Sequence, residues 1–79
     1  PLQKKLEAFN FDCHNIEDGH DEKQIKSCIL KAKETNMPTA IICNTVKGKG
    51  ISFMEGENLW HYRPPKGDDY DRALEELEK

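Results

Sequence analysis

The run "TAIIC" at residues 39–43 constrains the fold more than any other stretch of the chain. It is rich in β-branched residues and shows no alternation with polar ones, which is typical of a strand covered on both faces in a parallel sheet. A chain of 79 residues forms at most one small domain and buries a modest fraction of its surface. The sequence therefore predicts a strand that needs more covering layers than this chain supplies.

Regular elements precede this strand. Leu2, Leu6 and Phe9 share one helical face, and Asn10 is placed to end that helix. A weak, partly exposed strand is predicted over 11–17, followed by a turn at "DGH".

The next helix is predicted over 22–35, with Asp21 as its N-cap, Gln24 completing a capping box, and Pro38 preventing continuation. Strand, helix and strand in this order predict a right-handed βαβ unit with the helix as crossover.

After the second strand the pattern becomes irregular. About 20 residues follow with four glycines and two prolines, too long for an idle connector in a compact domain. A last amphipathic helix is then predicted from Tyr70, Ala73, Leu74 and Leu77, with aspartates near its start. The predicted fold is α/β, in the order helix, β, α, β, long loop, helix. Two strands leave an open sheet edge, so we interpret residues 1–79 as a partial domain, completed by upstream chain or by another subunit.

Composition narrows the function classes. The net charge of −3, with acidic and basic residues interspersed, provides no broad positive field for nucleic acid or an anionic membrane. No segment approaches the roughly 20 apolar residues of a membrane span. Cys13, Cys28 and Cys43 are odd in number and contain no Cys-x-x-Cys, which favours reduced thiols in a cytoplasm over a disulfide framework or a zinc ribbon.

The stretch "TVKGKG" at 45–50 leaves the second strand at its carboxyl end, where ligands of parallel sheets bind. Gly48 and Gly50 allow backbone amides to approach an anion, and Lys47 and Lys49 supply ammonium donors, so a diphosphate is a sensible ligand. The pattern lacks the P-loop and Rossmann spacings, and a solvated turn with two surface lysines is the alternative.

Two histidines invite chemical interpretations. His61 lies between Trp60 and Tyr62, whose rings can exclude water around a catalytic or phosphate-contacting imidazole; the alternative is a loop histidine beside an aromatic anchor. The string "DGHD" around His20 suggests a metal site, yet a turn followed by an N-cap explains it more simply. The cysteine and histidine spacings do not match those of zinc sites.

These strings occur in the order of one known family. The chain resembles transketolase, in the later part of its N-terminal, diphosphate-binding domain, and the resemblance covers nearly all 79 residues. It rests on "DGHD", then a helix, then "PTAIICNTVKGKGISFMEGENLWH". Its most specific part is a spaced set of residues: Thr45, Lys47, Gly48, Gly50, Trp60 and His61.

The resemblance implies thiamine diphosphate as cofactor and transfer of a two-carbon ketol unit from a ketose phosphate to an aldose phosphate. It implies that Lys47, as in some members of the family, neutralises the diphosphate beside Gly48. It also implies that His61 lies near both diphosphate and sugar as a catalytic and cofactor-contacting residue. Tyr62 departs from the glycine that usually follows this histidine.

Other parts of such an enzyme are absent from residues 1–79. The resemblance implies Mg²⁺ or Ca²⁺ held by oxygen ligands outside this chain, so no metal ligand is assigned here. Its implied partners are the remaining transketolase domains or a second subunit, within a homodimer in the complete enzyme, and it implies no activity for this chain alone. Two alternatives remain: a fragment of another thiamine-dependent transferase such as deoxyxylulose phosphate synthase, and a non-catalytic interaction module on the same scaffold.

Overall fold

A computed structural model describes all residues, 1–79, and divides them into two compact units. The first unit, Pro1–Thr45, holds the strands, and the second, Val46–Lys79, holds the long loop and the last helix.

The first unit follows the predicted element order. Its elements are α1 (Leu2–Ala8), β1 (Asp12–Ile16), α2 (Glu22–Ala32) and β2 (Thr39–Cys43). The strands β1 and β2 pair in parallel, with Asp12 opposite Thr39 and Ile16 opposite Cys43. The predicted parallel pairing, with a helix between the strands in sequence, is therefore confirmed.

Asn10 ends α1 as the sequence predicts. It adopts a left-handed φ of 69°, and its N–H donates to the Glu7 carbonyl at 2.9 Å while the N–H of Phe11 donates to the Leu6 carbonyl at 3.1 Å. These two bonds are the Schellman arrangement, which satisfies carbonyls that a helix end leaves without partners.

Asp21 caps α2, but the details differ from the predicted capping box. Its carboxylate accepts from the Lys23 N–H at 2.9 Å, while the Gln24 side-chain amide donates to the same carboxylate rather than accepting from the Asp21 backbone. The Asp21 N–H instead donates to the Asp18 carbonyl at 3.1 Å. A turn already occupies the donor that a capping box would use.

The predicted end of α2 at residue 35 is wrong by three residues, since the helix ends at Ala32. The N–H of Glu34 donates to the Lys31 carbonyl, a tighter i to i−3 bond, and the Thr35 hydroxyl accepts from the Met37 N–H at 3.2 Å. Threonine side chains favour such local turns over a continuing helix.

The core of the first unit is thin. Ile16 and Cys28 are its buried apolar side chains, exposed by 4% and 8%. The β2 residues 39–42 are half-buried and Cys43 is exposed, so coverage of this strand on both faces is partial here. The two-stranded sheet and the exposed apolar residues of α2, Ile29 and Leu30, agree with the predicted shortage of covering layers.

The second unit begins with consecutive turns and contains a short 3-10 helix, Asn58–His61, before α3 (Asp68–Leu77). The last helix is confirmed, with three aspartates in its first turn. The 3-10 helix was not predicted. Met54 and Ala73 are the buried apolar residues of this unit.

None of the helices has the length and apolar character needed to cross a bilayer. The longest, α2, has 11 residues, against the roughly 20 that a span requires.

Candidate functional site

The second unit brings the three predicted site residues together. Lys47, Gly48 and His61 line one pocket of about 260 Å³, and Met54, Glu57, Asn58 and Trp60 complete its lining. The loop after β2 and the 3-10 helix thus present an ammonium and an imidazole to the same small space. The three residues that the sequence singles out therefore lie close together in the folded chain.

Gly48 is required by two features of the loop. Its φ is 78°, a conformation that residues with a Cβ resist. A Cβ at this position would also lie 2.3 Å from the Met54 carbonyl oxygen. The chain therefore passes so closely over Met54 that only glycine fits, and this approach shapes the pocket wall.

Gly50 does not share the predicted anion-facing role. It lies outside the pocket lining, and its N–H points to the Glu55 carboxylate at 3.4 Å. Because that amide already has an acidic acceptor within the loop, it is not directed at an external anion. Lys49 also lies outside the lining, so one lysine of the pair reaches the pocket.

Lys47 is fixed at both its backbone and its side chain. Its carbonyl accepts from the Gly56 N–H at 2.9 Å, and its ammonium donates to Oδ1 of Asn58, the first residue of the 3-10 helix. The ion pairs of the structure are His14 with Asp12 and Arg72 with Asp69. The charge of Lys47 is therefore held by an amide and is not neutralised by a carboxylate.

His61 is the last residue of the 3-10 helix and is exposed. The preceding Trp60 is half-buried and packs edge-to-face on Phe53, with ring centroids 5.5 Å apart. Tyr62 is 76% exposed and does not line the pocket. Trp60 lines the pocket with His61, but His61 itself is exposed, so the expectation that rings on both sides exclude water from the imidazole is wrong.

Contacts from α3 hold the loop that carries these rings. The Arg72 guanidinium carbon lies 4.7 Å from the centroid of the Phe53 ring, a cation–π distance. The Glu76 carboxylate accepts from the Ser52 N–H at 3.1 and 3.2 Å. Hydrogen bonds from Ser52 hold the pKa of Glu76 below its ordinary value; partial burial opposes this shift, and the charges of Arg72 and Lys79 support it.

The "DGHD" segment has the structural role that the sequence favours. The Asp18 side chain accepts from the His20 N–H at 3.0 Å, an Asx-turn. Gly19 is buried, donates to the Asn44 carbonyl at 2.8 Å, and leaves no room for a Cβ beside Thr45. The turn is thereby attached to the end of β2.

The three cysteines are free thiols, with Cys28 buried, Cys13 half-buried and Cys43 exposed. Desolvation, followed by the nearby charges of Glu7 and Asp12, raises the pKa of Cys13. No group of three His, Cys, Asp or Glu side chains is arranged to hold a metal ion.

A larger groove of about 530 Å³ lies in the first unit, along β1 and α2. It includes Cys13, His14 and Cys28. We attribute this groove to the thin core of the first unit, because its lining mixes thiol, imidazole, amide and ammonium groups that do not share one type of ligand.

The pocket lined by Lys47, Gly48 and His61 has the size for the anionic end of a cofactor and is too small for a complete cofactor. Its volume of about 260 Å³ is below the range of about 300–1,000 Å³ typical of sites that enclose a complete ligand. Its donors, an ammonium and an imidazole, are those that bind phosphate oxygens. Residues 46–79 can therefore provide one wall for a diphosphate, while the rest of a cofactor needs other surfaces.

Sequence reasoning missed Asn58, Glu57 and Met54 as pocket residues. For Glu57 and Asn58 the available signal was their position just before Trp60 and His61, at the start of the same short helix; Met54 lies in an earlier turn, and no sequence signal placed it in the pocket.

In parallel α/β sheets, ligands bind beyond the carboxyl ends of the strands, and the segment that follows β2 in this chain carries Lys47 and His61. The family described as transketolase, thiamine diphosphate binding domain, matches residues 1–77, and the chain belongs to this family. Its α/β arrangement is accordingly part of a transketolase N-terminal domain.

Relatives of the chain are transketolases and transketolase subunits. The chain is 43% identical over 77 residues to an apulose-4-phosphate transketolase subunit of Actinobacillus succinogenes, covering 98% of this chain and 28% of that protein. It is 39% identical over 80 residues to the 6-deoxy-6-sulfo-D-fructose transketolase subunit SqwG of a Clostridium species, covering 100% of this chain and 29% of that protein. Identity to human transketolase is 35% over 75 residues, covering 95% of this chain and 12% of the human protein. The chain thus spans less than a third of the length of these relatives.

Proposed function

We propose that residues 1–79 form one wall of the thiamine diphosphate site of a transketolase. The complete enzyme would transfer a two-carbon ketol unit from a ketose phosphate to an aldose phosphate. The observation that carries this proposal is the convergence of Lys47, Gly48 and His61 on one pocket in a chain of the transketolase family.

Each residue has a role that its geometry supports. The Lys47 ammonium, held by a neutral amide, neutralises diphosphate charge. Gly48 keeps the backbone low over Met54, which leaves room for the phosphate. His61, exposed at the pocket edge, donates a hydrogen bond to a sugar oxygen or assists proton transfer near neutral pH. Thiamine diphosphate, when bound, supplies the stabilisation of the carbanion that ketol transfer needs.

The complete enzyme needs domains and a metal ion that residues 1–79 do not supply. Relatives that carry the word "subunit" in their names support a chain that acts with further transketolase domains or with a second subunit. We propose that the complete enzyme is a homodimer. Mg²⁺ or Ca²⁺ would be held by oxygen ligands outside residues 1–79 and would offset negative charge of the diphosphate. We propose that the chain alone lacks activity and that the enzyme serves pentose phosphate metabolism in the cytoplasm.

The test compares two lysines of the same loop in the full-length protein assembled with its complementary domains. Lys47→Ala should weaken binding of thiamine diphosphate about tenfold to hundredfold, because a hydrogen bond to a charged group is lost. Lys49→Ala is the matched control and should change the affinity little, since Lys49 lies outside the pocket. Isothermal titration calorimetry measures both.

His61→Ala should lower kcat by about a hundredfold or more while changing cofactor affinity less than Lys47→Ala does. Coupled assays with ketose and aldose phosphates, run beside assays with pyruvate, identify the substrate class. Equal effects of the two lysine substitutions, together with unchanged turnover in His61→Ala, would refute the assignment.

A further inference from the structure

We infer that Asn58 is a positioning residue that aims the Lys47 ammonium at the diphosphate while leaving its charge intact. This inference rests on the proposed function and adds to it a residue whose chemical type sets anion affinity. Asn58 is separated from Lys47 by 11 positions, yet its Oδ1 accepts from the lysine Nζ, and both residues line the same pocket.

The contact joins the two segments that build the pocket. The Lys47 backbone is attached to Gly56 by a hydrogen bond at 2.9 Å, and the Lys47 side chain is attached to the start of the 3-10 helix through Asn58. A free lysine side chain loses about 0.5–1.5 kcal/mol of rotamer entropy when a ligand immobilises it. Fixing the side chain beforehand removes part of that loss and increases affinity for the anion.

The neutral amide is the essential feature of this arrangement. An ammonium has three donors, so one bond to Asn58 leaves two for phosphate oxygens. A carboxylate at position 58 would orient the lysine equally well but would pair with its charge. It would also place a second carboxylate beside that of Glu57, which already lines the pocket, and both would repel an incoming diphosphate.

Positioning and structural support predict opposite rankings of two substitutions. If Asn58 only maintained the fold, the nearly isosteric Asn58→Asp would be milder than Asn58→Ala. If Asn58 acts as a neutral anchor for Lys47, Asn58→Asp is the more harmful change. We expect Asn58→Ala to weaken binding about threefold and Asn58→Asp to weaken it about tenfold or more.

The experiment measures Kd for inorganic pyrophosphate and for thiamine diphosphate by isothermal titration calorimetry on the full-length assembled protein, at low and high salt. The control is Asn36→Asp, which makes the same charge change at an exposed asparagine of the first unit. The same Asn58 substitutions are also made in the Lys47→Ala background, where the loss caused by Asn58→Asp should shrink by at least about threefold, as expected for directly coupled residues.

The outcomes separate this inference from the proposed function. If Lys47→Ala binds pyrophosphate like Lys49→Ala, the proposed function fails and the inference fails with it. Two results would overturn the inference alone, provided that Lys47→Ala weakens binding. One is an Asn58→Asp variant that binds no worse than Asn58→Ala. The other is a loss from Asn58→Asp that is equally large in the Lys47→Ala background. An Asn58→Asp loss that exceeds those of Asn58→Ala and Asn36→Asp, and depends on Lys47, supports it.

Discussion

The two units of this chain are ordered by different means. In Pro1–Thr45, backbone hydrogen bonds of a parallel strand pair and two capped helices define the structure. In Val46–Lys79, side chains of α3 hold an irregular loop, through Arg72 on Phe53 and Glu76 on Ser52. The candidate site lies in the second kind of structure. A scaffold of regular elements can therefore be read from local pattern, while a site in a loop depends on contacts between distant residues.

The largest effect that tests this comparison is expected in the first unit. Ile16 is 4% exposed, so Ile16→Ala should destabilise the β1–β2 pair by about 3 kcal/mol through lost burial and a residual cavity. Hydrogen–deuterium exchange of the strand amides in the full-length protein measures this loss. Ile16→Val, at about 1 kcal/mol, provides a milder variant if the alanine form does not fold.

Leu30→Ala is the companion substitution, because Leu30 is 54% exposed within residues 1–79. If the side chain also faces solvent in the full-length protein, its loss costs less than about 1 kcal/mol; we expect a larger cost, because the partial domain needs further covering layers. A cost similar to that of Ile16→Ala would mean that further chain covers α2 and that the thin core of this unit is supplemented in the assembly.

The next effect concerns the second unit. Gly48→Ala should destabilise the loop by about 2 kcal/mol, since it combines a positive φ with a Cβ against the Met54 carbonyl. Gly56→Ala is the control, because Gly56 has nearly the same φ, 77°, with open space around it. Exchange rates of amides 51–57 report the difference, and equal losses in both variants would show that the approach to Met54 has no energetic weight.

The smallest effect is pH-dependent. The pKa of Glu76 is lowered from its ordinary 4.5, so the ionised carboxylate stabilises the fold above that value, and this contribution is lost as pH falls through the lower folded-state pKa. At neutral pH the loop amides should be better protected from exchange in the wild-type protein than in Glu76→Gln, and this difference should shrink as pH falls below 4.5. Glu75→Gln, at an exposed neighbouring position, should show no such convergence.

The sequence predicted most of the first unit because its signals are local. Asp21 marks the start of α2, Asn10 ends α1, and "TAIIC" reads as a parallel strand. The end of α2 was misplaced because the turn at Thr35 competes with the helix through a side-chain hydrogen bond, which helix periodicity does not report.

The site was predicted less completely. Lys47, Gly48 and His61 follow from the residues and the resemblance, but the 3-10 helix that carries His61 has no side-chain cap to signal its start. Two contacts are visible only in the folded chain: the hydrogen bond of Lys47 to Asn58, and that of Ser52 to Glu76, 24 positions away. No periodicity in the sequence marks such pairs.

A structure of the full-length assembled protein with thiamine diphosphate bound tests the placement of Lys47 and His61 most directly. We expect the Lys47 ammonium within hydrogen-bonding distance of a diphosphate oxygen, about 2.7–2.9 Å, with His61 on the same side of the cofactor and Asn58 still bonded to the lysine. A diphosphate bound elsewhere, with Lys47 and His61 facing solvent, would contradict this placement.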